Sequence, residues 1–312
     1  MQNRSAKYCG RMEPHHFNSI EEAVSVLFRD GVTIADTKRI YGGDINDAYG
    51  LTLTDGNHIF MKVNTRENAS FFAAEATGLD AVSRTGAIGT PRILGYGTDV
   101  SRAGGAFLLL EFVYGGKKIP DYWEIFGHQL ADMHRAQTAD YVHGGKYGFL
   151  HDNYIGAGNQ INTPHENWIT FFRDCRLKVQ FQRAAHYFDT ADFKKITRLM
   201  DHIGDFLAEP EYPSLLHGDL WGGNVITGND GRAWLIDPAV YVGHAEADIA
   251  MTELFGGFPA AFYSAYREAG ILLPDYKERR DLYNLYHLLN HLNLFGRSYL
   301  SSVKQIIGWY AS

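Results

Sequence analysis

The chain has 312 residues, 45% of them hydrophobic: more than one core usually serves, so two lobes are expected, and too apolar for general disorder. A net charge of −7 argues against a nucleic-acid binder led by electrostatics, and the two cysteines, Cys9 and Cys175, imply no disulfide framework and a reducing compartment. No apolar run approaches a membrane span and Met1–His16 lacks the apolar stretch of a secretory signal, so a cytoplasmic protein with neither membrane nor nucleic acid as partner is expected.

Residues 1–17 read as a polar lead-in. Asn18-Ser19-Ile20-Glu21-Glu22 then opens a capped helical pattern with Ala23, Val24, Leu27 and Phe28 as its apolar face, ended by Gly31. Three strand-like runs follow, Thr33–Tyr41, Ala48–Leu53 and His58–Val63, the last two joined by a turn at Thr54-Asp55-Gly56-Asn57. Gly42-Gly43-Asp44-Ile45-Asn46 separates the first two. Paired glycines there either form a plain turn or let backbone approach phosphate oxygens closely; with no Gly-Lys-Ser/Thr following, this is not a Walker loop. Lys62 stands in the third strand between apolar neighbours, and Glu75 stands in the helical segment Phe71–Val82; alone, each reads as an ordinary solvated charge. Pro91–Thr98 is a fourth strand broken by Gly95 and Gly97, and Ala106–Val113 is a continuous apolar run suited to a buried fifth. The glycines of Tyr114–Lys118 suit a hinge, which divides the chain into a first lobe (18–113), a hinge (114–118) and a second lobe (119–312).

After Pro120 the pattern turns helical. Asp121–Arg135 places Trp123, Phe126, Leu130 and Met133 at helical spacing; His128 and His134, six apart, read as packing or solvated residues. The Gly/Asn/Asp-rich loop Tyr147–Gly158 either walls an acceptor site or is a long structural loop pinned by Tyr154 and Trp168. Arg173, Arg176, Lys178 and Arg183 read as the solvated face of the next helix, with reception of an anionic product as a weaker reading. Asp189–Leu207 is a further amphipathic helix. His287 and His291 have the i, i+4 spacing of zinc ligands, but no carboxylate or thiol accompanies them, so buried histidines with amide partners are expected.

The chemistry concentrates in Leu215–Pro238. Val225-Ile226-Thr227 and Ala233-Trp234-Leu235-Ile236 flank the turn signal Asn229-Asp230-Gly231, so a hairpin returns Asp237 to the neighbourhood of Asn224. Asp219, Asn224 and Asp237 then supply what phosphoryl transfer needs: a carboxylate to take the proton of the attacking hydroxyl, and an amide oxygen and second carboxylate to hold Mg²⁺ on the nucleotide phosphates. The spacing matches the protein-kinase catalytic loop, with His-Gly-Asp for His-Arg-Asp and Asp-Pro-Ala for Asp-Phe-Gly. In that reading Lys62, oriented by Glu75, contacts ATP phosphates.

His217-Gly218-Asp219-Leu220-Trp221-x-Gly223-Asn224 resembles the signature of the fructosamine/ketosamine-3-kinases, members of the aminoglycoside-phosphotransferase-like branch of the protein-kinase fold. The resemblance runs from about Ile40 to about Ile307. It includes Ala74-Glu75-Ala76-x-Gly78-Leu79, Asp152-Asn153-Tyr154-Ile155-Gly156 and Trp168-x-x-Phe171-Phe172-x-x-x-Arg176-Leu177. It implies an α+β bilobal fold: a five-stranded antiparallel sheet with a helix, then a mainly helical lobe. It also implies a nucleotide site of Gly42, Gly43, Asn46, Lys62, Glu75 and the backbone of Glu111 and Val113. Asp219 is the implied base and Asn224 and Asp237 the Mg²⁺ ligands; Asp248 braces the catalytic loop through backbone hydrogen bonds. Trp221 packs either on the sugar or within the lobe. The implied reaction phosphorylates the 3-hydroxyl of a ketosamine (fructosamine or ribulosamine), free or on protein lysine, in deglycation repair. Some members carry Cys where this chain has Asp44, so thiol-based regulation there is not expected. Kinases of the same fold acting on an aminoglycoside, choline or homoserine are the nearest alternative, and a catalytically silent nucleotide-binding module is a further one.

Overall fold

The computed structural model describes residues 15–41, 46–99 and 105–311. They divide into two compact units, one drawn from Met1–Ala76 and Arg92–Phe112, the other from Thr77–Pro91 and Val113–Ser312.

The first unit is a sheet with helices. Its strands are β1 (His16–Phe17), β2 (Ile34–Ile40), β3 (Asp47–Leu53), β4 (His58–Asn64), β5 (Ile93–Asp99) and β6 (Gly105–Glu111), in the order β1-β5-β6-β4-β3-β2. Five are antiparallel neighbours, as expected; the sixth is a correction. His16 and Phe17, which read as part of a polar lead-in, form β1, paired parallel with Tyr96 and Gly97. The same contact explains the glycines that read as breaks in β5. A Cβ at Gly97 would lie 1.8 Å from the Phe17 carbonyl oxygen, and one at Gly95 would lie 2.4 Å from the Phe17 ring. Side chains there would exclude β1.

Helix α1 (Ile20–Leu27) starts where the sequence places its cap: Ser19 Oγ accepts from Glu22 N (3.0 Å), while Glu22 Oε2 accepts from Asn18 N (2.7 Å). Its Ile20, Ala23 and Val24 join Leu51, Leu53, Ile59, Met61, Phe107 and Leu109 in one core. These strand residues alternate, so they share one face of the sheet, and Lys62 belongs to the other. Helix α2 spans Ala69–Arg84; its first half, with Glu75, belongs to this unit.

The second unit is mainly helical. Its helices are α3 (Tyr122–Arg135), α4 (Trp168–Phe171), α5 (Lys178–Arg183), α6 (Thr190–Asp201), α7 (Glu246–Leu254), α8 (Ala260–Glu268), α9 (Tyr276–Phe295) and α10 (Leu300–Tyr310). Three small antiparallel pairs are set among them: β7 (Asn153–Ile155) with β8 (Gly158–Gln160), β9 (Ser214–Leu216) with β12 (Tyr241–Gly243), and β10 (Val225–Thr227) with β11 (Ala233–Leu235). A large core built on Trp168, Tyr241, Tyr266, Tyr283 and Tyr286 binds these elements. Among the described residues no helix is long and apolar enough to cross a membrane.

Arg176 corrects the expectation of a solvated helix face. Between α4 and α5 the chain widens into a π turn, Phe172–Leu177, which rotates later positions away from a regular helical count. Arg176 is fully buried. Its Nη1 donates to the Ile161 carbonyl (2.5 Å) and its Nη2 to Asn162 Oδ1 (2.8 Å), with the guanidinium 4.0 Å from the Tyr241 ring centroid. These partners include no carboxylate; a weakly hydrated, planar cation tolerates stacking and carbonyl acceptors instead. The expected amide partners of His287 and His291 are also absent among the described residues. His291 Nδ1 lies 2.8 Å from the His287 carbonyl oxygen, and buried His287 Nδ1 has no partner.

Candidate active site

In the first unit, Lys62 Nζ bonds Glu75 Oε1 at 2.6 Å, with both side chains nearly buried (9% and 13% exposed). A strand lysine on the face away from the α1 core thus meets a helix carboxylate that fixes its long stem. Asn64, two residues beyond Lys62, donates from Nδ2 to Asn46 Oδ1 (2.6 Å), and its own Oδ1 accepts from Asn68 Nδ2 (2.9 Å). Asn46 is therefore anchored to β4. Gly42 and Gly43 lie outside the described residues. Glu111 N donates to the Arg92 carbonyl (2.8 Å), so its N–H is engaged. In the second unit, Val113 precedes a segment fastened to the β10–β11 turn: Tyr114 N donates to Asn229 Oδ1 (3.2 Å) and Ile119 N to the Gly231 carbonyl (3.1 Å).

Asp219, Asn224 and Asp237 come together through short local contacts in the second unit. Val225 pairs with Leu235 and Thr227 with Ala233, the hairpin read from the sequence. Its closing bond, Ile236 N to the Asn224 carbonyl (3.1 Å), places Asp237 immediately after the residue bonded to Asn224. Asn224 Nδ2 donates both to the Asp219 carbonyl (2.9 Å) and to Asp219 Oδ2 (3.2 Å). The amide nitrogen is thereby committed to Asp219, and the amide oxygen is the atom that could face a cation. Burial pushes the Asp219 carboxyl up to about 7, against the Asn224 hydrogen bond and with help from the Asp237 and Asp248 charges. Asp237 has a positive φ of 55° although it precedes a proline. Gly218 (φ 80°) is required by a close approach: a Cβ there would sit 2.1 Å from the Ala239 carbonyl oxygen.

The loop is held from below. Asp248, at the start of α7, accepts from His217 N (Oδ2, 2.7 Å) and Gly218 N (Oδ1, 2.9 Å). The sequence missed its third partner: fully buried His134 places Nε2 3.2 Å from Asp248 Oδ2 and Nδ1 2.6 Å from the Tyr266 hydroxyl. Its place four residues after Leu130, on the apolar side of α3, was the signal available. His217 is buried and its pKa is lowered by burial; the neutral ring accepts at Nδ1 from Asp219 N (3.3 Å) and donates from Nε2 to the Ile236 carbonyl (3.0 Å). Trp221 is 40% exposed, so it is not absorbed into packing. It begins a run of rings in which Phe255 lies 6.3 Å from Trp221 and His291 5.0 Å from Phe255.

Two other buried histidines give the unit a pH signature. His244 and His287 are each lowered to about 3, first by burial, then by Arg279 and His134 for His244 and by His291 for His287. Both stay neutral in the folded chain while an unfolded histidine protonates near pH 6.5, so stability is full above that pH and falls below it by about 1.4 kcal/mol per histidine per pH unit. Asp219 acts in the opposite sense, because its folded pKa is raised. In an Asp219→Asn chain the urea-unfolding free energy is therefore expected to drop by about 3 kcal/mol from pH 7.5 to 5.5. An unchanged value would mean that these rings are protonated in the folded state.

A lysine–glutamate pair on strand and helix, a His-Gly-Asp loop braced from a following helix, and an Asn and Asp joined by a hairpin define an ATP-dependent phosphotransferase of the protein-kinase-like fold. The chain belongs to the fructosamine kinase family, whose model matches residues 16–311. It is 38% identical over 299 residues to a protein of Synechocystis sp. named probable ketoamine kinase, covering 94% of this chain and 96% of that one. It is 40% identical over 279 residues to the chloroplastic protein-ribulosamine 3-kinase of Oryza sativa subsp. indica (89% and 79% covered). A solved structure from Haemophilus somnus 129PT, assigned to fructosamine-3-kinase, superposes with a TM-score of 0.81 at 30% identity, covering 94% of this chain and 96% of that one.

Proposed function

We infer that the chain transfers the γ-phosphoryl group of ATP to the 3-hydroxyl of a ketosamine, fructosamine or ribulosamine, free or on a protein lysine, as a deglycation repair step in the cytoplasm. The observation that carries this is the pair of hydrogen bonds from Asn224 Nδ2 to Asp219, set within a chain of this family. They orient the carboxylate and turn the amide oxygen to a different task.

Asp219 accepts the proton of the sugar hydroxyl, and a pKa near 7 suits a base working near neutral pH. Asn224 Oδ1 and the exposed Asp237 carboxylate are two hard oxygen donors, which fits Mg²⁺, an ion that keeps several waters and needs few protein ligands. Held there, the ion would supply neutralisation of the nucleotide's phosphate charge. Lys62, steadied by Glu75, contacts phosphates, and Gly42 and Gly43, with the anchored Asn46, supply the loop over them. The base edge takes the carbonyl of Glu111, whose N–H is engaged, and the backbone of Val113. Positioning and charge neutralisation carry most of the catalysis, as phosphoryl transfer requires.

Trp221, two residues after the base and exposed, offers a face for the sugar. From Trp221 the rings continue through Phe255 and His291, with Phe295 a further 5.5 Å on. ATP consumption with fructoselysine, ribuloselysine, kanamycin and choline tests the acceptor. Ketosamine turnover at least about 100-fold above the other two is expected, the scale reached when a site's polar groups match only one substrate. Preference for kanamycin or choline would give the site to another kinase of this fold, and no consumption with any acceptor would favour a silent nucleotide-binding module.

A further inference from the structure

Asp237 is held in a conformation it would not choose. A positive φ costs an L-residue roughly 1–2 kcal/mol, and a following proline narrows the choice further. Strain of this kind persists only where neighbours over-determine the backbone. On one side the catalytic loop does this: Ile236 N bonds the Asn224 carbonyl and Ala239 N bonds the His217 carbonyl (2.8 Å). On the other side stand two buried carboxamides from the β7–β8 hairpin. Asn153 Nδ2 donates to the Val240 carbonyl (2.7 Å), and Gln160 Nε2 donates to the Ala239 carbonyl (2.9 Å).

These two amides are themselves fixed. Gln160 Nε2 also donates to Asn153 Oδ1 (2.8 Å), and Gln160 Oε1 accepts from the Tyr286 hydroxyl (2.7 Å). Asn162 Nδ2 adds a second bond to Asn153 Oδ1 (2.9 Å), and Asn162 Oδ1 is the acceptor of buried Arg176. The amide orientations follow from this chain of partners: Arg176 can only donate and the Ala239 and Val240 carbonyls can only accept, so the Asn153 and Gln160 nitrogens face the backbone. Arg176 Nε has no partner among the described residues, but the Asn153 and Gln160 carboxamides are held at both their nitrogen and oxygen ends, and what they touch is the segment that carries Asp237.

We propose that Asn153 and Gln160 are positioning residues that lock the Asp237 carboxylate in its metal-binding orientation through the Ala239 and Val240 carbonyls. This rests on the phosphotransferase reading of Asp237. It makes the hairpin neither an acceptor wall nor passive filling, but a clamp on the metal-ligand loop, and it predicts a loss confined to the metal.

The test uses Gln160→Met and Asn153→Ala in the full chain. Mn²⁺ affinity is read by electron paramagnetic resonance at saturating non-hydrolysable ATP analogue, alongside the Mg²⁺ dependence of turnover. The control is Leu199→Ala, which loses stability through a core cavity in α6 and shares none of these contacts. Both clamp variants are expected to bind Mn²⁺ about 10- to 100-fold more weakly, the loss typical of outer partners of a metal ligand, with turnover partly restored by excess Mg²⁺ and acceptor KM within about twofold. The control keeps parental Mn²⁺ affinity. Clamp variants with parental Mn²⁺ affinity, changed only in thermal midpoint, would overturn the proposal while leaving the kinase reading intact. A parent chain with no metal-dependent transfer would overturn that reading and this one together.

Discussion

Asp219→Asn is expected to lower kcat by about 10³-fold while leaving nucleotide affinity within about threefold, because a positioned general base contributes roughly 10²–10⁴. Asparagine has the same shape and can still accept from Asn224 Nδ2 through its own oxygen, so the loop need not move. It cannot accept the hydroxyl proton. The same change removes a half-buried carboxyl held near pH 7, well above its unfolded value, so the variant should be more stable above that pH by on the order of 2–4 kcal/mol. Loss of turnover with a gain in stability separates a chemical role from a structural one. Near-normal turnover would remove Asp219 from the mechanism.

Asp248→Ala is expected to be the most destabilising change in the catalytic region, at about 3–5 kcal/mol by urea unfolding, because three buried groups lose an acceptor at roughly 1–3 kcal/mol each. The substitution leaves the His217 and Gly218 N–H groups and the His134 ring without their acceptor. Hydrogen bonds hold the Asp248 carboxyl below the usual carboxylate range although burial, the largest influence, pushes it up, so the charged form belongs to the fold. Asp248→Asn should fall between parent and alanine, since one carboxamide oxygen replaces only one of two acceptors. Turnover should fall with it, because Gly218 and Asp219 are adjacent and a loosened loop misplaces the base. A loss below about 1 kcal/mol would mean that water satisfies these groups and that Asp248 is not a brace.

What was legible in the sequence was local. The β10–β11 hairpin, the spacing of Asp219, Asn224 and Asp237, the Ser19 cap and the antiparallel strands all follow from periodicity and turn chemistry within a few residues. The contacts the sequence does not show join residues far apart along the chain: His134 meets Asp248 114 positions away, and Gln160 meets Tyr286 126 positions away. Arg176 falls on a buried face rather than the solvated one its spacing suggests, because the π turn around it departs from the 3.6-residue period. Gly95 and Gly97 read as interruptions because their cause, the Phe17 backbone and ring, lies in a segment whose composition resembles a loose terminus. The paired glycines Gly42 and Gly43 lie outside the described residues, so their part rests on sequence alone.

Phosphorus NMR of the parent chain with ATP, Mg²⁺ and fructoselysine follows the transfer of phosphate from ATP to one hydroxyl of a ketosamine. A new phosphomonoester resonance coupled to the sugar C3 proton is expected, appearing in step with ADP and absent with Asp219→Asn. ADP formed without a sugar phosphate, or phosphate on another carbon, would contradict it.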